Sequence, residues 1–284
     1  MMVPSPLTAM MMSGQLSTSF WKYCWGKDIG RSGYFSNDKS NGPQIASARS
    51  LQKLTGLGFQ VYLLSDGLAM KKEIELIMFD LDGTLADTGR DLASAVNYVR
   101  GHLDLTPLDD RLVYSHVGRG VEHLLRSSLP ERLGKRFNEI MDLFLERYEK
   151  HLLDATVLYP HVTETLDYFR DKRKAVVSNK LHHLTVSILR GLGIEGCFDA
   201  ILGGDSVSQK KPNPEPLREM LNSFGIQPAK AVIVGDGDAD IEAGKRAGVC
   251  TCGVTYGLGS KEELIEANPD LLLDDLYQLT RYFR

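Results

Sequence analysis

From Met70 onward, short apolar runs rich in β-branched residues alternate with segments of helical period, and this alternation restricts the fold more than any other feature. Glu75–Phe79, Lys174–Ser178, Ala200–Gly203, Ala231–Gly235 and Cys250–Val254 read as strands closed by Gly, Asp or Ser. Val162–Arg170, Leu184–Leu192, Glu215–Phe224 and Ala239–Ala247 read as the helices between them. Strand following helix in this way predicts an α/β fold: a Rossmann-like, doubly wound parallel sheet covered on both faces. The rhythm breaks once. Residues 89–158 carry apolar positions such as Leu92, Val96, Leu125, Ile140, Phe144 and Tyr148 at helical spacing, which predicts a helical cap inserted between the first two strands, 70–88 and 159–284 forming the core. Open α/β sheets bind ligands at the carboxyl ends of their strands, where such a block would act as a lid.

Residues 1–69 differ in texture. They hold ten serines, eight glycines, both tryptophans and six Lys/Arg against three Asp/Glu, whereas the remainder holds 27 basic and 34 acidic residues. No sustained period precedes Ile45, so this segment reads as poorly structured, with room for a short helix or strand between Ile45 and Leu64. It is expected to be dispensable, the product of a start codon upstream of Met70. The rival is a targeting segment or a docking arm built on Phe20, Trp21 and Trp25.

A net charge of −4 over 284 residues gives no reason to expect nucleic acid as a partner. Four cysteines make no disulfide framework in a chain of this length. No apolar run approaches the ~20 residues of a membrane span, and no basic residue precedes the apolar start as in a signal peptide. A cytoplasmic location without a membrane partner is therefore expected, with monomer and homodimer equally open. The seven histidines fit no zinc spacing; His182-His183 reads as surface, and Cys250 and Cys252 read as core.

The chemistry gathers at strand ends. Phe79-Asp80-Leu81-Asp82-Gly83-Thr84 brings two carboxylates out of an apolar strand at i and i+2. A lone acid there is ordinarily a cap, but a pair repels and needs a cation or a shared proton; hard oxygen ligands suit Mg²⁺. Gly235-Asp236-Gly237-Asp238-Ala239-Asp240 ends another strand, with Asp236 and Asp240 on one face of a helix start and Asp238 as a cap. Ser178-Asn179-Lys180 closes a third strand with a hydroxyl and an amide before a helix start, where backbone N–H groups favour anions. Lys211, just ahead of Pro212-Asn213-Pro214, can supply a point charge to a phosphoryl group and screen the carboxylates.

In order and on these strand ends, Asp80, Asp82, Ser178, Lys211, Asp236 and Asp240 resemble the four motifs of the haloacid dehalogenase superfamily of phosphohydrolases. Phe79–Thr88, Val117-Gly118-Arg119-Gly120, Leu158-Tyr159-Pro160 and Lys211–Leu217 resemble segments of the bacterial phosphoglycolate phosphatase branch. Two departures stand out: His161 where a Gly is common, and Gly237 where Ser or Thr usually follows the motif Asp.

The resemblance implies Mg²⁺-dependent hydrolysis of a small phosphorylated metabolite, with 2-phosphoglycolate the expected substrate. Asp80 would attack phosphorus and Asp82 would shuttle the proton. Asp80, Asp236 and the Asp82 backbone carbonyl would ligate the metal, supported by Asp240. Ser178, Asn179 and Lys211 would hold the transferring oxygens, and Thr84 would order the turn at the phosphate site. Arg119, bracketed by glycines in the cap, is expected to pair with a substrate carboxylate, against the reading of an exposed helix-start arginine. A phosphosugar mutase, a pyrophosphatase and a non-catalytic phosphoacceptor remain as alternatives; the last needs neither a lid nor an acid two residues after the nucleophile.

Overall fold

The computed structural model describes residues 52–56, 59–63 and 71–284. The expectations placed on Phe20, Trp21, Trp25 and the rest of 1–51 lie outside these residues. Where the sequence left room for one short element, two strands form: β1 (Gln52–Gly56) and β2 (Phe59–Leu63) pair antiparallel, with Gln52 opposite Leu63.

The main sheet has six strands, all parallel. Its strands are β3 (Leu76–Phe79), β6 (Arg173–Val177), β7 (Ala200–Leu202), β8 (Ala231–Gly235), β9 (Cys250–Val254) and β10 (Leu271–Leu273), in spatial order β10-β9-β8-β3-β6-β7. Five were expected from their apolar runs. The edge strand β10 was not, because three leucines with one face in solvent carry no period that separates strand from loop.

Strand alternation divides the core. Ile77, Phe79, Val176, Val232 and Val234 face one side, in a cluster that continues into the helical block through Leu92, Leu124 and Phe144. Leu76, Met78, Ala175, Val177 and Ile233 face the other side. There they meet Leu217 and Met220 of the helix Glu215–Phe224 and Ala243 of the helix Asp238–Ala247. Both faces of β3 are fully buried, which is why its sequence reads as an unbroken apolar run.

Between β3 and β6 the chain builds α1 (Gly89–His102), α2 (Asp110–Tyr114), α3 (Val121–Ser128) and α4 (Phe137–Lys150). It leaves and re-enters the core through a two-residue antiparallel stem, β4 (Ala86–Asp87) with β5 (Val157–Leu158). The buried Asp91 locks this stem, accepting hydrogen bonds from the Ala155 and Thr156 amides and from Thr156 Oγ1 at 2.7–3.1 Å.

His161 shows why glycine suits its position. It opens the helix Val162–Tyr168 at φ 61°, in the left-handed region, and its ring is pinned to Asp275 at 2.6 Å.

Candidate active site

Parallel register brings the acidic strand ends together. Phe79 pairs with Val234 of β8 on one side and with Val176 of β6 on the other, so Asp80 emerges between Gly235-Asp236 and Val177-Ser178. The chain must then turn at once. Leu81 O accepts the amides of Thr84, Leu85 and Ala86, and Gly83 sits at φ 81°. A Cβ on Gly83 would stand 1.9 Å from Asp236 Oδ2, so the turn closes only with glycine there.

Asp80, Asp236 and Asp240 are buried and each offers a carboxylate oxygen within 4.8 Å of the others. Lys211 answers part of this charge. Its Nζ lies 3.1 Å from Asp80 Oδ1 and 2.6 Å from Asp240 Oδ1, and it donates to Val177 O. Burial alone would depress the Lys211 pKa, but the charges of Asp240 and Asp80 outweigh it and hold the ammonium above its ordinary value. One ammonium does not neutralise three carboxylates. Burial, then repulsion from Asp80 and Asp240, pushes Asp236 up to about 7. Burial also pushes Asp240 up to about 6, against the pull of Lys211. Three hard, buried oxygen donors with excess negative charge fit a divalent cation such as Mg²⁺.

Asp82 behaves differently. Its carboxylate turns out of the cluster, accepting from Thr88 Oγ1 at 2.6 Å and from Lys180 Nζ at 2.9 Å through both oxygens. Only its backbone is thus left for a metal. Lys180 and Thr88 escaped the sequence reading. Lys180 was visible inside the Ser-Asn-Lys motif, but nothing local indicates that its ammonium reaches back to Asp82.

The other expected residues take separate places. Ser178 follows β6 directly, buried, and its hydroxyl oxygen accepts the Lys180 amide at 3.3 Å. Asn179 spends its amide nitrogen on Gly118 O and Lys211 O, at 2.8 and 2.9 Å, and so ties the cap turn to the core. Thr84 Oγ1 lies 3.4 Å from Asp236 Oδ1, and the Leu258 and Gly259 amides donate to Asp236 Oδ2. Thr84 therefore orients the acid cluster. Arg119 is half exposed and paired with Asp238 at 2.5 Å, a contact between the cap turn and the start of the helix Asp238–Ala247. Cys250 and Cys252 are buried core thiols, with burial pushing Cys250 up to about 12.

A cavity lies between the strand ends and the helical block. Asp80, Asp82, Ser178 and Lys180 form its floor; Leu92, Val121, Leu124, Phe144 and Tyr148 form its roof. Sheet, strand-end acids, lysine and overlying helices together define a hydrolase of the haloacid dehalogenase type. The chain belongs to that family: the haloacid dehalogenase-like hydrolase model matches residues 77–254. It is an enzyme, a phosphatase of this family. It is 35% identical over 215 residues to the phosphoglycolate phosphatase of Chromobacterium violaceum, covering 73% of this chain and 96% of that one. It is 40% identical over 190 residues to that of Aquifex aeolicus, covering 65% and 86%. The crystal structure of a predicted phosphoglycolate phosphatase from Haemophilus somnus 129pt superposes with a TM-score of 0.70 at 31% identity, covering 73% of this chain and 97% of that one.

Proposed function

We propose that this phosphatase hydrolyses a small phosphomonoester, 2-phosphoglycolate first among candidates, with Mg²⁺ as cofactor and Asp80 as covalent nucleophile. The observation that carries this reading is the division of labour between two acids. Asp80 sits in the Asp236–Asp240–Lys211 cluster, whereas Asp82, two residues on, is turned away to Lys180 and Thr88.

Asp80, Asp236 and the Asp82 carbonyl would hold the cation, which supplies charge neutralisation to carboxylates and phosphate alike. Lys211 and Ser178 bind and orient the phosphoryl oxygens. Asp80 attacks phosphorus to form an aspartyl-phosphate as the ester P–O bond breaks, and Asp82, which must enter this step protonated, gives that proton to the departing oxygen. Asp82 then takes a proton from the water that hydrolyses the acyl phosphate. The helical block excludes bulk water while this proceeds.

The phosphoglycolate assignment is supported by the relatives named above and by the small, largely apolar cavity, which would leave the hydroxyls of a sugar phosphate unpaired. We take 89–158 as the cap and 70–88 with 159–284 as the core. Free thiols at Cys197, Cys250 and Cys252 accord with a reducing cytoplasm. No helix among the described residues is long and apolar enough to cross a membrane. The test is phosphate release with Mg²⁺ from 2-phosphoglycolate, sugar phosphates, nucleotides and pyrophosphate. Preference for 2-phosphoglycolate, abolished by chelation, is expected. Preference for a sugar phosphate or pyrophosphate would overturn the substrate; full activity without metal would overturn the cofactor.

A further inference from the structure

Tyr148, on the inner face of α4, is 1% exposed, with the Lys180 ammonium beside its hydroxyl as a donor, and the hydroxyl proton has no acceptor among the described residues. A phenol proton buried without an acceptor forfeits its hydrogen bond to water, so a fold retains one at a cost unless a ligand accepts it. The residue lines the cavity that holds Asp80 and Asp82. Lys180 Nζ stands 4.9 Å from its ring centroid while gripping Asp82. An ammonium only donates, so it cannot receive the phenol proton. Burial pushes the Tyr148 pKa up to about 12, which keeps that proton in place at neutral pH.

Asp82 is the group that meets the ester oxygen under the function proposed above, so whatever hangs on that oxygen extends into this cavity. Its roof is otherwise apolar, built from Leu92, Val121, Leu124 and Phe144. The polar side-chain groups of the lining besides Asp80, Asp82 and Ser178 are the Tyr148 hydroxyl, the part of the Lys180 ammonium not spent on Asp82, and Asn179 Oδ1, an acceptor that cannot bind an anionic oxygen. We infer that the Tyr148 hydroxyl determines specificity, donating to an anionic oxygen on the leaving group. The site then selects short phosphomonoesters with a carboxylate one methylene from the ester oxygen over esters lacking one. This inference rests on the phosphatase reading and goes beyond it by naming the group that reads the substrate's far end.

The test is calorimetric titration of the full chain, with Mg²⁺, using 3-phosphonopropionate and propylphosphonate, which differ only in the carboxylate. Wild type is expected to prefer the carboxylated ligand. Tyr148→Phe should cut that preference about tenfold, the worth of a hydrogen bond to a charged group, and bind propylphosphonate as wild type does. Metal-free Tyr148→Phe should melt close to wild type, since the proton it loses had no acceptor and Lys180 keeps both oxygens of Asp82. An unchanged preference in the variant, or none in wild type, would overturn the inference. So would a lower melting temperature with both ligands weakened equally, which marks a structural role. If wild type selects the carboxylated phosphonate but releases no phosphate from 2-phosphoglycolate, the function fails while Tyr148 stands. Normal turnover with unchanged selectivity in the variant would leave the function standing and remove Tyr148 from substrate recognition.

Discussion

The ammonium of Lys180 lies 2.9 Å from both carboxylate oxygens of Asp82, and both side chains are buried. Burial alone would lower the Lys180 pKa, but the charge of Asp82 holds it above its ordinary value. The pair fixes one acid of the Asp-x-Asp motif away from the acid cluster that holds the other. Removing the cation would strand a buried carboxylate. Lys180→Met should destabilise the protein by about 3 kcal/mol, and Asp82→Asn in the same chain should restore most of it. Denaturant titration of the double-mutant cycle measures the coupling; additive effects would show that the two groups do not depend on each other.

Asp80→Asn should abolish phosphate release, since an amide neither attacks phosphorus nor ligates a hard cation well. Asp82→Asn should lose about 10²–10⁴ in kcat on alkyl phosphates and far less on aryl phosphates, whose leaving oxygens need no proton. Steady-state kinetics on both ester classes separates the two roles. Equal losses across ester classes for Asp82→Asn would remove it as the proton donor.

The raised pKa values of Asp236, about 7, and Asp240, about 6, set a pH dependence for the metal-free protein. Folded carboxyls that hold protons longer than unfolded ones lose stability as pH rises from the unfolded value toward the folded one, here from about 4 to about 7. A divalent cation binds only the ionised carboxylates. The rise in melting temperature on adding Mg²⁺ should therefore be small at pH 5 and large at pH 8. An equal rise at both values would separate metal binding from these acids.

Arg119 meets Asp238 across the junction of cap and core, with 44% of its side chain exposed. Exposed ion pairs contribute about 0–1 kcal/mol, so Arg119→Ala should lower kcat/KM for 2-phosphoglycolate and phenyl phosphate by the same small factor. Asp238→Ala should reproduce that effect. A large loss confined to the carboxylated substrate would instead assign Arg119 to the substrate's carboxylate.

Gly237 caps the helix Asp238–Ala247 in extended geometry without a side-chain cap, and a Cβ there would meet nothing nearer than 3.5 Å. Gly237→Ser should add about 0.5–1 kcal/mol through a cap bond and a less flexible unfolded chain. Thermal melting measures the gain, and turnover should stay within about twofold. A lower melting temperature would mean that the seryl group disturbs Asp240.

Local pattern alone was enough to place much of this protein. Ala231–Gly235 and Cys250–Val254 read as strands because buried parallel strands are unbroken apolar runs, and Glu215–Phe224 read as a helix from its period. Asp80, Asp236 and Ser178 were legible because a parallel sheet delivers the residue after each strand to one edge, whatever the loops do. Pairing of side chains across the fold was not legible. Lys180 finds Asp82 at a separation of 98 residues, and Asn179 spends its amide on Gly118, 61 residues away. Tyr148 looked like one more apolar position on a helix until the packing of α4 over the strand ends made it part of the cavity lining. Periodicity records which face of an element is buried. Which polar group on that face meets which partner follows only from how the elements dock.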